Sequence, residues 1–129
     1  MSKFSLANFG DLLIADFPEL DEEFKEFAGL PYIQMGALAR LVQQAKGRAD
    51  WQRYGKAMKI ADELWAGADD DLRNALNVSF LEHIDFEGPR GSHAWSLLSQ
   101  TLQNAWTAMA AYNERLHSAL KKKSRDRRR

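Results

Sequence analysis

The chain has 129 residues, 18 of them basic and 18 acidic, and its formal net charge is zero. The absence of cysteine excludes disulfides, thiolate zinc sites and cysteine nucleophiles together. With 45% hydrophobic and 28% charged residues the composition is that of a folded globular domain, and no apolar run approaches the ~20 residues of a membrane span.

In chain order, turn signals divide the sequence into about six helical segments. Ser5 caps a first helix that must stop before Pro18, because proline disfavours helical backbone in the residue before it. Residues 18–28 read as a short second helix closed by Gly29-Leu30-Pro31. The third spans 32–46, with Leu38, Leu41, Val42 and Ala45 on one stripe and Gly47 as its stop. The fourth, 49–66, places Trp51, Tyr54, Met58, Ala61 and Trp65 at steps of three and four. Asp69 caps a fifth helix whose apolar set is Leu72, Ala75, Leu76, Phe80, Leu81 and Ile84, broken at Glu87-Gly88-Pro89. Ser92 caps the sixth, and Trp95, Leu98, Leu102, Ala105, Trp106, Met109, Tyr112, Leu116 and Leu120 keep helical spacing to its end. At 1.5 Å per residue this last helix is a rod of ~42 Å.

No run alternates with period two, so the expected fold class is all-α. The architecture expected is an irregular bundle of about six helices, with a HEAT-like helical hairpin within 32–84 and a long C-terminal helix. One domain is expected over 1–120, followed by a flexible basic tail over 121–129. A cytoplasmic location fits best, since the opening MSKFSLANFGDLL has no secretory apolar core with a cleavage site.

The zero net charge conceals an arrangement. Residues 121–129 sum to +6 and the preceding 120 to −6. Within the body, 11–26 sum to −6, 27–61 to +5, 62–87 to −7 and 88–120 to +1. Glu19, Glu22, Glu23 and Glu26 fall at i, i+3, i+4 and i+7 of the second helix and are expected to share one face. That face is the first-choice docking surface for a basic partner, against the plainer reading of a solvated helix side. The basic band, with Lys46, Arg48, Arg53, Lys56 and Lys59, reads best as an intramolecular neighbour of the acidic bands. Between Gly91 and Asn113 there is no Asp, Glu, Lys or Arg, so that side of the sixth helix is expected to be half buried, against a partner or, as suits the central helix of a bundle, against its own neighbours.

Catalytic patterns are weak. Glu82, His83, Asp85, Glu87 and His93 cluster around one turn, but without the spacing of a metal site. There is no G-x-S-x-G, and Gly88-Pro89-Arg90-Gly91 lacks the lysine of a phosphate loop. Trp51, Trp65, Trp95 and Trp106 sit on core stripes, where packing accounts for them. The expectation is a non-enzymatic protein with no cofactor and no metal.

Two stretches, Leu30-Pro31-Tyr32-Ile33-Gln34-Met35-Gly36-Ala37-Leu38-Ala39-Arg40 and Asn74-Ala75-Leu76-Asn77-Val78-Ser79-Phe80-Leu81-Glu82-His83-Ile84-Asp85-Phe86-Glu87-Gly88, are distinctive. With Ala61-Asp62-Glu63-Leu64-Trp65 they resemble a small bacterial all-α family of unassigned function, over roughly residues 11–110. Proteins of this kind are often immunity proteins of polymorphic toxin systems. The resemblance therefore implies a cognate toxin as partner, and the acidic bands suit one with a basic cleft that an acidic surface would cover. Candidate contact residues are Glu19, Glu22, Glu23 and Glu26, then Asp85, Glu87 and Arg90. The competing expectation is a nucleic-acid-associated or adaptor protein anchored by the basic tail, with affinity falling steeply as salt rises.

Overall fold

A computed structural model describes the backbone of residues 2–127 and the side chains of residues 2–122. Among the described residues there are seven α-helices: α1 (Phe9–Asp16), α2 (Asp21–Glu26), α3 (Pro31–Gly47), α4 (Trp51–Gly67), α5 (Asp70–Ala75), α6 (Gly91–Ser96) and α7 (Gln100–Arg127). Among the described residues there is no sheet; a single parallel bridge joins Phe4 to Ala68, where the Lys3 and Phe4 N–H groups both donate to the Gly67 carbonyl at 2.8 Å. The arrangement is all-α and irregular, as the periodicity predicts.

α3 is the central helix. Met35, Ala37, Leu38, Ala39, Leu41, Val42 and Ala45 are all buried, more of the circumference than one amphipathic stripe covers. It forms a hairpin with α4, which buries Tyr54, Ala57, Met58, Ile60, Ala61 and Leu64. The hairpin turn departs from expectation. Gly47 is still helical, and the residue in the left-handed conformation is Ala49, at φ 54°. The Asp50 N–H returns to the Ala45 carbonyl at 2.8 Å and the Ala49 N–H to Lys46 at 3.1 Å, the bond pair of a Schellman C-cap. Asp50 then caps α4 by accepting from the Arg53 N–H at 3.2 Å.

The fifth expected helix changes pitch. Asp69 caps α5 as predicted, accepting from the Leu72 N–H at 2.8 Å. From Leu76 to Phe80 the chain winds as a π-helix, and from Leu81 to His83 as a 3-10 turn. Leu72, Leu76, Phe80 and Ile84, every fourth residue, are all buried. In an α-helix each step of four overshoots one turn by about 40°. The wider i→i+5 turn absorbs that drift and keeps the stripe on the core.

The single long helix expected from Ser92 is two helices. α6 stops at Ser96 and the chain turns through 97–99. The cap of α7 is Ser99: its hydroxyl accepts from the Leu102 N–H at 3.1 Å and donates to Asp62 Oδ1 at 2.7 Å. The uncharged side of this segment is also not buried. Ser96, Gln100, Asn104 and Thr107 are exposed, and only Ser99 and Gln103 are half-buried. α7 attaches through its other side, with Leu102 buried and Ala105, Trp106 and Met109 packed against the core. Phe86, Trp95 and Trp106 form a cluster of edge-on rings, with centroids 4.9–5.6 Å apart, that ties α6, α7 and the 84–90 loop together. The backbone of α7 continues past Leu120 to Arg127. Side chains from Lys123 onward, and with them most of the expected basic tail, lie outside the described residues.

Candidate functional site

A stripe along α3 organises the most distinctive surface of the molecule. Tyr32, Gly36, Arg40, Gln43 and Gly47 follow at steps of four, four, three and four, so they share one side of the helix. Opposite them stand Ser79, carried by the π-helical turn, and His83, carried by the 3-10 turn. Between the two walls lies an open cleft of about 350 Å³, lined by Tyr32, Gly36, Ala39, Arg40, Gln43, Ser79 and His83. Every lining residue except Gln43 belongs to one of the two distinctive sequence stretches, so segments about 40 residues apart in sequence converge on one cleft. π-turns are rare and concentrate at functional sites, and here one delivers a serine that is 9% exposed to the cleft wall.

Neighbouring elements hold the stripe in place at both ends. Toward its start, the Asn74 amide donates to the Tyr32 hydroxyl at 2.8 Å, and Gln34 Nε2 donates to the Phe24 carbonyl at 2.9 Å. Arg40 Nη2 pairs with Glu23 of α2. Toward its end, Asp85 takes Gln43 Nε2 at 2.9 Å and Lys46 Nζ at 2.8 Å, and Lys46 also bonds the Asp85 carbonyl. The Lys46 ammonium, with help from the Gln43 amide, holds the Asp85 carboxyl below its ordinary value. Gln43 Oε1 is buried with no hydrogen-bond partner among the described residues. The amide cannot be turned over to satisfy it, because only the nitrogen end can donate to Asp85.

Tyr32 on the cleft wall is 40% exposed, and its sequence neighbours Leu30 and Ile33 are 49% and 45% exposed, so three large apolar side chains within four positions meet solvent.

None of the expected contact residues lines this cleft; Glu23 and Asp85 reach it through Arg40 and Gln43. The four glutamates do not form one α-helical stripe, because Glu19 sits on a separate 3-10 turn, Pro18–Leu20, ahead of α2. Nor are they left to repel one another. Arg53 binds Glu19 at 2.5 Å, and this bond holds the Glu19 carboxyl below its ordinary value; Arg40 binds Glu23. Glu22 and Glu26 are exposed, with no ion pair among the described residues. In the second group, Asp85 is bound to α3 as above and Arg90 Nη1 donates to the Gly47 carbonyl at 2.5 Å, while Glu87 is exposed. Glu23 and Asp85 thus bind neighbouring members of the same α3 stripe, Arg40 and Gln43. The basic band is intramolecular in its three best-placed members: Lys46 and Arg53 pair as described, and Lys56 donates to the Asp16 carbonyl at 3.2 Å. Sequence reasoning missed Tyr32, Arg40, Gln43, Ser79 and His83 as a set. The signal for it was the four-residue spacing of Leu72, Leu76, Phe80 and Ile84, which foretells the π-turn.

Among the described residues no group of three or more His, Asp or Glu is placed to hold a metal ion. His93 instead lies edge-on to Trp51 at 4.5 Å. Among the described residues no helix is long and apolar enough to cross a membrane.

An irregular all-α protein with a long C-terminal helix is the class that the geometry defines. The chain belongs to the family described as Domain of unknown function (DUF7674), which matches residues 10–114. That span includes both cleft walls and the first half of α7. No curated protein and no solved structure matches the chain.

Proposed function

We propose that this chain is a non-enzymatic protein-binding module of the immunity kind, which neutralises a cognate bacterial toxin by covering its basic cleft with the face built on α3. The observation that carries the reading is the composition of that face. Exposed Leu30, Tyr32 and Ile33 supply an apolar centre. Glu23 and Asp85 are cancelled by Arg40 and Lys46, so the acidity left for a partner belongs to Glu22, Glu26 and Glu87. Apolar anchors supply most of an interface's affinity, while unpaired rim charges steer the approach of an oppositely charged partner. The long sequence separation between the cleft walls makes the face a property of the folded domain and not of one peptide.

The test is co-expression with the product of the adjacent reading frame. The expected result is a stable complex in which that product's activity is suppressed, and in which Ile33→Asp restores the activity. Ile33 is 45% exposed, so the substitution leaves the core alone. A chain that forms no such complex, but binds nucleic acid tightly through residues 121–129 in a salt-sensitive way, overturns the proposal in favour of a nucleic-acid-associated protein.

A further inference from the structure

The polar groups that line the α3 cleft and are left uncommitted are donors. Arg40 gives Nη2 to Glu23, which lies outside the lining, while its Nη1 makes no hydrogen bond among the described residues. That nitrogen lies over the cleft floor, 3.9 Å from where a Cβ at Gly36 would stand. The Tyr32 hydroxyl accepts from Asn74, so its own proton remains to be given. Ser79 is only 9% exposed, and its hydroxyl has no partner among the described residues. Among those residues the one unpaired side-chain polar atom sealed from solvent is Gln43 Oε1, so the Ser79 hydroxyl opens to the cleft that Ser79 lines. His83 adds an exposed imidazole to the same wall.

Acceptors are missing from this surface. No Asp or Glu lines the cleft, and the Gln43 amide oxygen is withdrawn from solvent. Converging donors with no carboxylate beside them suit an oxyanion. The Glu23 pair offsets much of the Arg40 charge, so directed hydrogen bonds, and not bulk attraction, select the ligand. One guanidinium matches the single charge of a carboxylate better than the higher charge of a phosphate. The volume of about 350 Å³ lies at the small end for ligand pockets and leaves room for a short apolar body against Tyr32 and Ala39.

We propose that this cleft binds a small organic carboxylate, which takes Arg40 Nη1 and the Ser79 and Tyr32 hydroxyls, with His83 beside them. The free chain carries every group involved, so binding is independent of any protein partner.

Amide NMR spectra of the full chain test this, with benzoate titrated to about 50 mM at constant ionic strength. Saturable shifts are expected at Gly36, Arg40, Ser79 and His83. Benzamide, the uncharged isostere, should cause none, and inorganic phosphate should bind more weakly than benzoate. Arg40→Gln is expected to weaken binding about tenfold or more, and Ser79→Ala about threefold or more. Gly36→Leu should abolish it with the fold intact: only Arg40 Nη1 lies within 4 Å of the added Cβ, so the larger side chain fills the cleft and not the core. Glu23→Gln frees Arg40 and should tighten binding about twofold or more, whereas Glu22→Gln, an equal change of charge at an exposed position, should leave it unaltered. Ile33→Asp, outside the lining, should bind benzoate as wild type does, which separates this result from the fate of the protein complex. No saturable shift with benzoate, equal shifts with benzamide, tighter binding of phosphate, or a Gly36→Leu chain that still binds would each overturn the proposal.

Discussion

Gly91 is the position where a single methyl group should do the most damage. It is buried at the start of α6, and a Cβ there would overlap the carbonyl carbon and oxygen of Phe86. The obstacle is backbone, so no rotamer change relieves it; the 84–90 loop has to move. That movement pulls Phe86 from its edge-on contacts with Trp95 at 4.9 Å and Trp106 at 5.3 Å. Two aromatic pairs at ~0.5–1.5 kcal/mol each, together with ~1–3 kcal/mol for overpacking, put Gly91→Ala at about 2–6 kcal/mol. At ~2.1 cal/mol/K per residue, a chain of this length has an unfolding entropy near ~0.27 kcal/mol/K, so Tm should fall by about 7–22 °C. Gly55→Ala is the control. Gly55 lies inside α4 with nothing near the added methyl, and alanine there should raise Tm by about 2–4 °C through helix propensity. Thermal unfolding followed by circular dichroism measures both. A Gly91→Ala chain melting within 2 °C of wild type would refute the packing of the 84–90 loop against the aromatic cluster.

Other outcomes follow from local geometry. Ala49→Gly relieves a left-handed alanine and should stabilise by up to about 1 kcal/mol, read from the urea midpoint. Ser99→Ala removes the α7 cap and should cost about 1–2 kcal/mol, whereas Ser92→Ala should stay within about 0.5 kcal/mol. Asp85→Asn should be less stable than wild type at neutral pH by under about 1 kcal/mol, because Asp85 is half exposed beside Lys46. The folded-state carboxyl is held below its unfolded value of 3.8, so this advantage is present above that value and lost as pH falls through the folded one. Urea melts at descending pH should therefore converge for the two chains; a gap that persists in acid would contradict the ion pair.

Much of the fold was legible because apolar spacing reports burial directly. The boundaries of α3 and α4 and the Asp69 cap came from that spacing and from turn residues. The break at 97–99 was not legible, because Leu98 and Leu102 keep helical spacing across it and Ser99 looks like an ordinary polar position until its hydroxyl meets Asp62. The glutamate cluster was visible as composition, but its neutralisation was not. Arg53 reaches Glu19 from 34 positions away and Arg40 reaches Glu23 from 17, contacts that only tertiary structure creates. The cleft was missed for the same reason. Its two walls were each recognisable as distinctive sequence, while their meeting depended on the π-turn that swings Ser79 toward α3.

The most direct test of the α3 face is the affinity of the proposed complex, measured by calorimetry for three chains. The product of the adjacent reading frame should bind wild type and Leu116→Asp, changed at an exposed leucine of α7, alike, and bind Ile33→Asp at least about tenfold more weakly, as for a large apolar side chain lost from an interface centre. Equal affinity of Ile33→Asp and wild type, or no heat of binding with any of the three, would contradict the account.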